Sequence, residues 1–153
     1  MNTLQKALTA ALTLSAALLA RPAIAQFKQT IDAATIGFEA PSTRATRQFI
    51  YSRGTPLEVV VSIEGWFKVR DAQGALVWME RRALTDRTQV QVGAQPADVH
   101  AAPDAVSPIV FRADSGVILQ LVAPPSAATG LYAQVRHRDG TTGFVRIDAL
   151  FGL

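Results

Sequence analysis

The sequence predicts an all-β protein of two tandem units behind an N-terminal leader, and three observations predict it. Short β-branched and aromatic runs recur between turn formers. Past Gln26 no long window repeats apolar residues at i, i+3, i+4 and i+7, the mark of an amphipathic helix. The chain also resembles itself at a nearly constant spacing, a feature to be settled before any fold is assigned.

The leader comes first. Residues 1–25 read as a secretory signal peptide helix: Lys6 supplies the positive start, residues 7–20 are an uncharged run of Ala, Leu, Thr and one Ser, and Ala23-Ile24-Ala25 places small residues before a cleavage site at Gln26. The apolar run is too short to hold a bilayer stably. No Cys follows the site for acylation, so the expected mature protein is periplasmic or secreted, with no stable membrane insertion after cleavage.

Lys6 and Arg21 leave with that segment, so 13 basic residues (15 − 2) face 12 acidic ones. So small a surplus gives no general attraction to nucleic acid, and none is expected as a partner. The absence of Cys removes disulfide staples and thiol nucleophiles together, and leaves the fold to apolar burial.

The expected strands of the first unit are residues 35–38, 48–51, 57–62, 66–70 and 76–79, followed by 88–92. Those of the second are 99–101, 109–112, 117–122, 132–136 and 142–146. In the third of these, Leu57, Val59 and Val61 are expected on one face and Glu58 on the other, with Val60 weakening the alternation. Asp71-Ala72-Gln73-Gly74 and Arg138-Asp139-Gly140 supply hairpin turns.

The repeat aligns Trp66-Phe67-Lys68-Val69-Arg70 with Tyr132-Ala133-Gln134-Val135-Arg136, and the same offset pairs Gly74 with Gly140, Trp78 with Phe144 and Leu84 with Leu150. Upstream the offset is shorter, pairing Gly54 with Gly116, Leu57 with Leu119 and Glu58 with Gln120, so the second copy carries an insertion, expected near Pro124-Pro125-Ser126-Ala127-Ala128. The expected domains are therefore 26–86 and 87–153. Residues 83–97 contain no Gly/Ser-rich run and read as an ordered bridge.

Ala40-Pro41-Ser42, Gly54, Gly65-Trp66-Phe67-Lys68-Val69, Gly74, Trp78-Met79 and Ala83-Leu84 occur in an order that resembles the bacterial SH3-like (SH3b) domain family. Ala102-Pro103-Asp104, Gly116, Tyr132 to Val135, Gly140, Gly143-Phe144-Val145 and Ala149-Leu150 repeat it. The departures are Val77, where the pattern has Gly, and Tyr132 and Phe144, where it has Trp. A ligand needing the close approach that Gly permits would lose it at Val77. The resemblance implies two tandem small, partly open SH3-like β-barrels of short strands, a scaffold used for binding rather than chemistry, with relatives that occur alone or attached to wall-degrading enzymes and bind peptidoglycan peptides or proteins.

His100 and His137 belong to no metal or triad motif, Asp139 sits in a turn, and Gly65 and Gly74 form no phosphate loop, so no catalytic residue, metal or cofactor is expected. The chain is read as a non-enzymatic module. Its ligand-binding candidates are Tyr51, Trp66, Tyr132, Arg70 and Arg136, because aromatic grooves hold extended peptides and arginines hold carboxylates. Trp78 and Phe144 are expected to fill the core, while Trp66 and Tyr132, at strand starts, are expected to stay partly exposed. The basic groups Arg81-Arg82 and Arg136-His137-Arg138 would suit acidic wall polymers or a carboxylate on a peptide stem, but a solvated strand face explains them more cheaply. The expected partner is a peptidoglycan fragment or an envelope protein. The alternative is a structural subunit or inhibitor of an envelope enzyme.

Overall fold

A computed structural model describes residues 25–153, so the predicted leader lies outside the described residues except for Ala25. Seven strands, β1 (Gln26–Thr30), β2 (Thr35–Phe38), β3 (Arg47–Tyr51), β4 (Pro56–Ile63), β5 (Trp66–Arg70), β6 (Leu76–Glu80) and β7 (Leu84–Asp86), form one antiparallel sheet. Its order is β3-β2-β6-β5-β4-β1-β7. Seven more follow: β8 (Gln89–Val92), β9 (Ala97–His100), β10 (Ile109–Ala113), β11 (Ile118–Ala123), β12 (Tyr132–Arg136), β13 (Thr142–Arg146) and β14 (Leu150–Phe151). They pair in the order β10-β9-β13-β12-β11-β8-β14, the same path taken again.

The all-β expectation holds, and the strands form two sheets that do not close into barrels. Each sheet is open, ending on β3 and β7 or on β10 and β14, because those edge strands each have one hydrogen-bonded neighbour. The β2–β6 and β9–β13 ladders are reduced to single pairs, Phe38 with Trp78 and His100 with Phe144. Loop hydrogen bonds repeat as well: Gly54 N–H donates to the Thr30 carbonyl and Gly116 N–H to the Val92 carbonyl, both at 2.9 Å. Gly74 and Gly140 close the equivalent hairpins at φ +89 and +91, a left-handed conformation that strains any side chain.

Alternation places the cores. In β5, Phe67 and Val69 are buried while Trp66 and Lys68 are half-buried and Arg70 exposed. The first core joins Tyr51, Leu57, Phe67, Val69, Val77, Met79 and Leu84. The second centres on Val90, Val92, Val99, Leu119, Val135 and Val145.

Three expectations about facing fail for one reason, the phase of a strand. Val77 and Met79 are fully buried, so Trp78 between them points to the opposite face and is half-buried. Phe144 is displaced likewise by Val145 and Gly143. In β4 the register shifts between Val59 and Val61, so Val60 is the extra residue of a bulge and Val61 turns out to the face of its partner Lys68.

The bridge is shorter than expected. Residues 89–92 belong to the second sheet as β8, paired with β11 and β14. The connection between β11 and β12, residues 124–131, is longer than the two-residue turn between β4 and β5. Among the described residues no helix is long and apolar enough to cross a membrane.

Candidate functional site

Tyr51 closes β3 with its ring in the first core, and its hydroxyl donates to Asp71 Oδ2 at 2.9 Å. Asp71 is buried in the turn after β5, where its Oδ1 accepts the N–H groups of Gln73 at 3.0 Å and Ala75 at 2.8 Å. Such a side-chain-capped turn is what an Asp followed by Gly three residues later favours. Burial pushes the Tyr51 phenol far above its usual range, and the hydrogen bond and charge of Asp71 push it further the same way.

This pair floors a cleft of about 420 Å³. One rim is Phe49 and Ile50, which remain 48% and 74% exposed, a large apolar surface to leave in water. The opposite wall comes from the second sheet, as Gln91, Gly116 and Ile118. The cleft therefore exists because the two sheets are juxtaposed. Gln29 of β1 fixes that juxtaposition: its Oε1 accepts the N–H groups of Thr88 at 2.7 Å and Gln89 at 3.1 Å. Phe27 packs edge-on to Phe151 with ring centroids 5.2 Å apart.

The equivalent hollow of the second sheet, also about 420 Å³, is lined by Phe111, Ala113, Val117, His137, Asp139 and Thr141 among others. Ala113 stands where Tyr51 stands in the first, and His137 where Asp71 does. His137 Nδ1 lies 3.1 Å from Asp139 Oδ2, and Asp139 also accepts the Thr141 N–H at 2.8 Å. Those bonds hold the Asp139 carboxyl below its usual range, the Thr141 contacts foremost. Asp139 is thus a turn element, as the sequence implies.

Ile118 also lines a smaller pocket of about 260 Å³, together with Gln89, Gln120, Arg136 and Arg138. Of the five sequence candidates, Tyr51 lines the cleft and Arg136 lines the smaller pocket. Arg70 is engaged elsewhere, donating from Nη1 to Glu58 Oε2 at 3.0 Å. Trp66 lies on the outer face of the first sheet, edge-on to Phe38 at 5.8 Å. Tyr132 is buried, contrary to expectation, edge-on to His100 at 6.2 Å, because His100 covers it from the adjacent outer-face row.

Sequence reasoning missed Phe49, Ile50, Asp71 and Ile118. The signal for the first two was present in Gln48-Phe49-Ile50-Tyr51, three successive apolar or aromatic residues of which an alternating strand can bury only part. Nothing in the sequence brings Ile118 opposite them, since that depends on how the sheets meet.

Residues 37–86 match the family model of the bacterial SH3 domain. Among solved structures, the chain is similar to NlpC2 and NlpC1 from Trichomonas vaginalis, at 10% and 12% identity with TM-scores of 0.37 and 0.36. It is also similar to an NlpC/P60 family protein from Bacillus cereus, at 15% identity and a TM-score of 0.36. These alignments cover 84%, 83% and 81% of this chain and 48%, 45% and 55% of the others, so the chain spans about half the length of the structures it matches. No curated protein matches it.

Proposed function

From a chain whose residues 37–86 are a bacterial SH3 domain, we propose a non-enzymatic binding module, exported to the periplasm or secreted, that holds a peptide of peptidoglycan in the cleft between its two sheets. The observation that carries this reading is the cleft itself, about 420 Å³ with Phe49 and Ile50 exposed along its rim. Paired strands with an apolar slot between them suit an extended peptide, whose backbone keeps its hydrogen bonds while a side chain is desolvated.

In this reading residues 87–153 are a second SH3-like copy, supported by the repeated strand order, and residues 26–86 are the first. Export is supported by the leader's composition, and cleavage before Gln26 would leave β1 whole, since its ladder to β4 starts with Gln26 opposite Val59.

The test is sedimentation of the purified chain with insoluble peptidoglycan, alongside a Phe49→Ala, Ile50→Ala double variant. The expected result is wild-type pelleting that the variant loses while keeping its circular dichroism spectrum. A variant that pellets as well as wild type removes the cleft. A wild type that stays in the supernatant removes the wall ligand and turns the search to an envelope protein, by co-purification of one stoichiometric partner.

A further inference from the structure

The two sheets act as controls for each other. Across the first, Phe27, Glu58 and Arg70 form a row in register through β1, β4 and β5. Glu58 neutralises Arg70 there at 3.0 Å. Across the second, the corresponding row is Gln89, Gln120 and Arg136 through β8, β11 and β12. Exchange of the carboxylate for an amide leaves Arg136 facing a neutral partner. Among the described residues neither Arg136 nor Arg138 has an ion pair.

Both arginines line the 260 Å³ pocket, and no carboxylate does. The aromatic ring at the start of the first row, Phe27, is replaced by the Gln89 side chain, so the second row is polar throughout. Two guanidinium groups in one hollow with no counter-charge repel each other, and a bound anion relieves that repulsion. The planar fork of an arginine suits a carboxylate, which it can meet with two parallel hydrogen bonds. Ile118 is shared by this pocket and the apolar cleft, which makes the two hollows neighbours.

We propose that the Arg136 pocket receives the free terminal carboxylate of the peptide whose apolar side chain lies in the cleft. The proposal rests on the peptide-binding reading above and adds the group that sets polarity and end-specificity. The chemistry is the same whether the carboxylate ends a wall peptide or a protein tail, and the experiment separates the two sources.

The probes are N-acetyl-trialanine and its C-terminal carboxamide, titrated into the isotope-labelled chain while the backbone amide signals of Gln89, Gln120 and Arg136 are followed. The acid is expected to move those signals and to bind about tenfold or more tightly than the amide, the usual loss when a charge-assisted hydrogen bond is removed. Gln120→Glu is the decisive variant, because it rebuilds in the second sheet the ion pair that the first already carries in the same register. It should abolish the preference for the acid without lowering the melting temperature, and Arg136→Gln should do the same. Equal shifts by acid and amide, no shift by either, or a preference that survives Gln120→Glu would each overturn the proposal.

Sedimentation with peptidoglycan keeps the two readings apart. If wild type and Gln120→Glu pellet equally, the carboxylate pocket fails and the cleft stands. If wild type fails to pellet yet prefers the acid in solution, the pocket stands and its source is a protein C-terminus.

Discussion

Tyr51 donates to Asp71 at 2.9 Å from inside the first core, while the equivalent places in the second sheet hold Ala113 and His137. The pair is a private feature of the first sheet. It ties the last residue of β3 to the turn after β5, and so sets the floor of the cleft. Tyr51→Phe keeps the ring and strands Asp71 Oδ2, a buried carboxylate oxygen, without its donor. The expected cost is about 1–3 kcal/mol in denaturant unfolding at neutral pH.

The same pair gives an alkaline signature. The Tyr51 phenol is held far above its ordinary value, chiefly by burial, so the folded chain keeps this proton where the unfolded chain loses it. The stability that depends on it is complete below the ordinary phenol range, near pH 10, and is lost as pH rises beyond that. The wild-type advantage over Tyr51→Phe should therefore be constant up to about pH 9 and shrink above about pH 10. A difference that stays flat through that window would show that Tyr51 ionises no differently in the folded state.

Gly37 and Val77 meet in the first sheet, and Val99 and Gly143 meet in the second, with the small and large partners exchanged. A Cβ on Gly37 would lie 2.8 Å from Val77 Cγ2, and one on Gly143 would lie 2.6 Å from Val99 Cγ1. Val77, which stands where the resembled pattern has Gly, is accommodated by the glycine on the facing strand. Gly37→Val alone should destabilise by about 1–3 kcal/mol through overpacking. Gly37→Val with Val77→Gly, which copies the second sheet's arrangement, should recover most of that loss. A double variant no more stable than the sum of its parts predicts would reject the exchange.

Strand positions and the hairpin turns were legible because alternation and Gly placement are local. Four of the strands, β2, β5, β12 and β13, occur with the boundaries that the sequence predicts. Facing was less legible. Leu76-Val77-Trp78-Met79 is apolar throughout, so its period carries no phase, and size alone suggested Trp78 for a core that Val77 and Met79 fill. The short strands β1, β7 and β14 escaped notice because their residues show little β-branched enrichment and become strands by pairing with distant partners. The cleft was illegible for a related reason: its walls come from residues far apart in sequence that only the docking of two sheets brings together.

Tyr132 separates folding from binding. It is 8% exposed and packs edge-on to His100, so Tyr132→Ala empties a buried site and should cost about 3–5 kcal/mol. Loss of ligand in that variant would report unfolding. Retention of both stability and secondary structure in a thermal melt would show instead that Tyr132 is a surface residue available to a partner.

Gln29 joins the two sheets with one atom. Its Oε1 accepts from Thr88 N and Gln89 N, and Thr88 Oγ1 lies at 3.3 Å from it, so a side chain of β1 organises the start of β8. Gln29→Ala leaves two backbone donors to water and should cost about 1–2 kcal/mol. Combined with Phe27→Ala, which removes the packing on Phe151, it should also uncouple the sheets. Both tryptophans, Trp66 and Trp78, belong to the first sheet, so fluorescence follows that sheet alone while far-ultraviolet dichroism follows both. Wild-type unfolding should give coincident transitions by the two probes, and the Phe27→Ala, Gln29→Ala variant should give separated ones. Coincidence in the variant would mean that the cleft walls are held by contacts other than those of β1. Separation already in wild type would mean that the walls move independently, and a ligand spanning the cleft would then raise both transitions and bring them together.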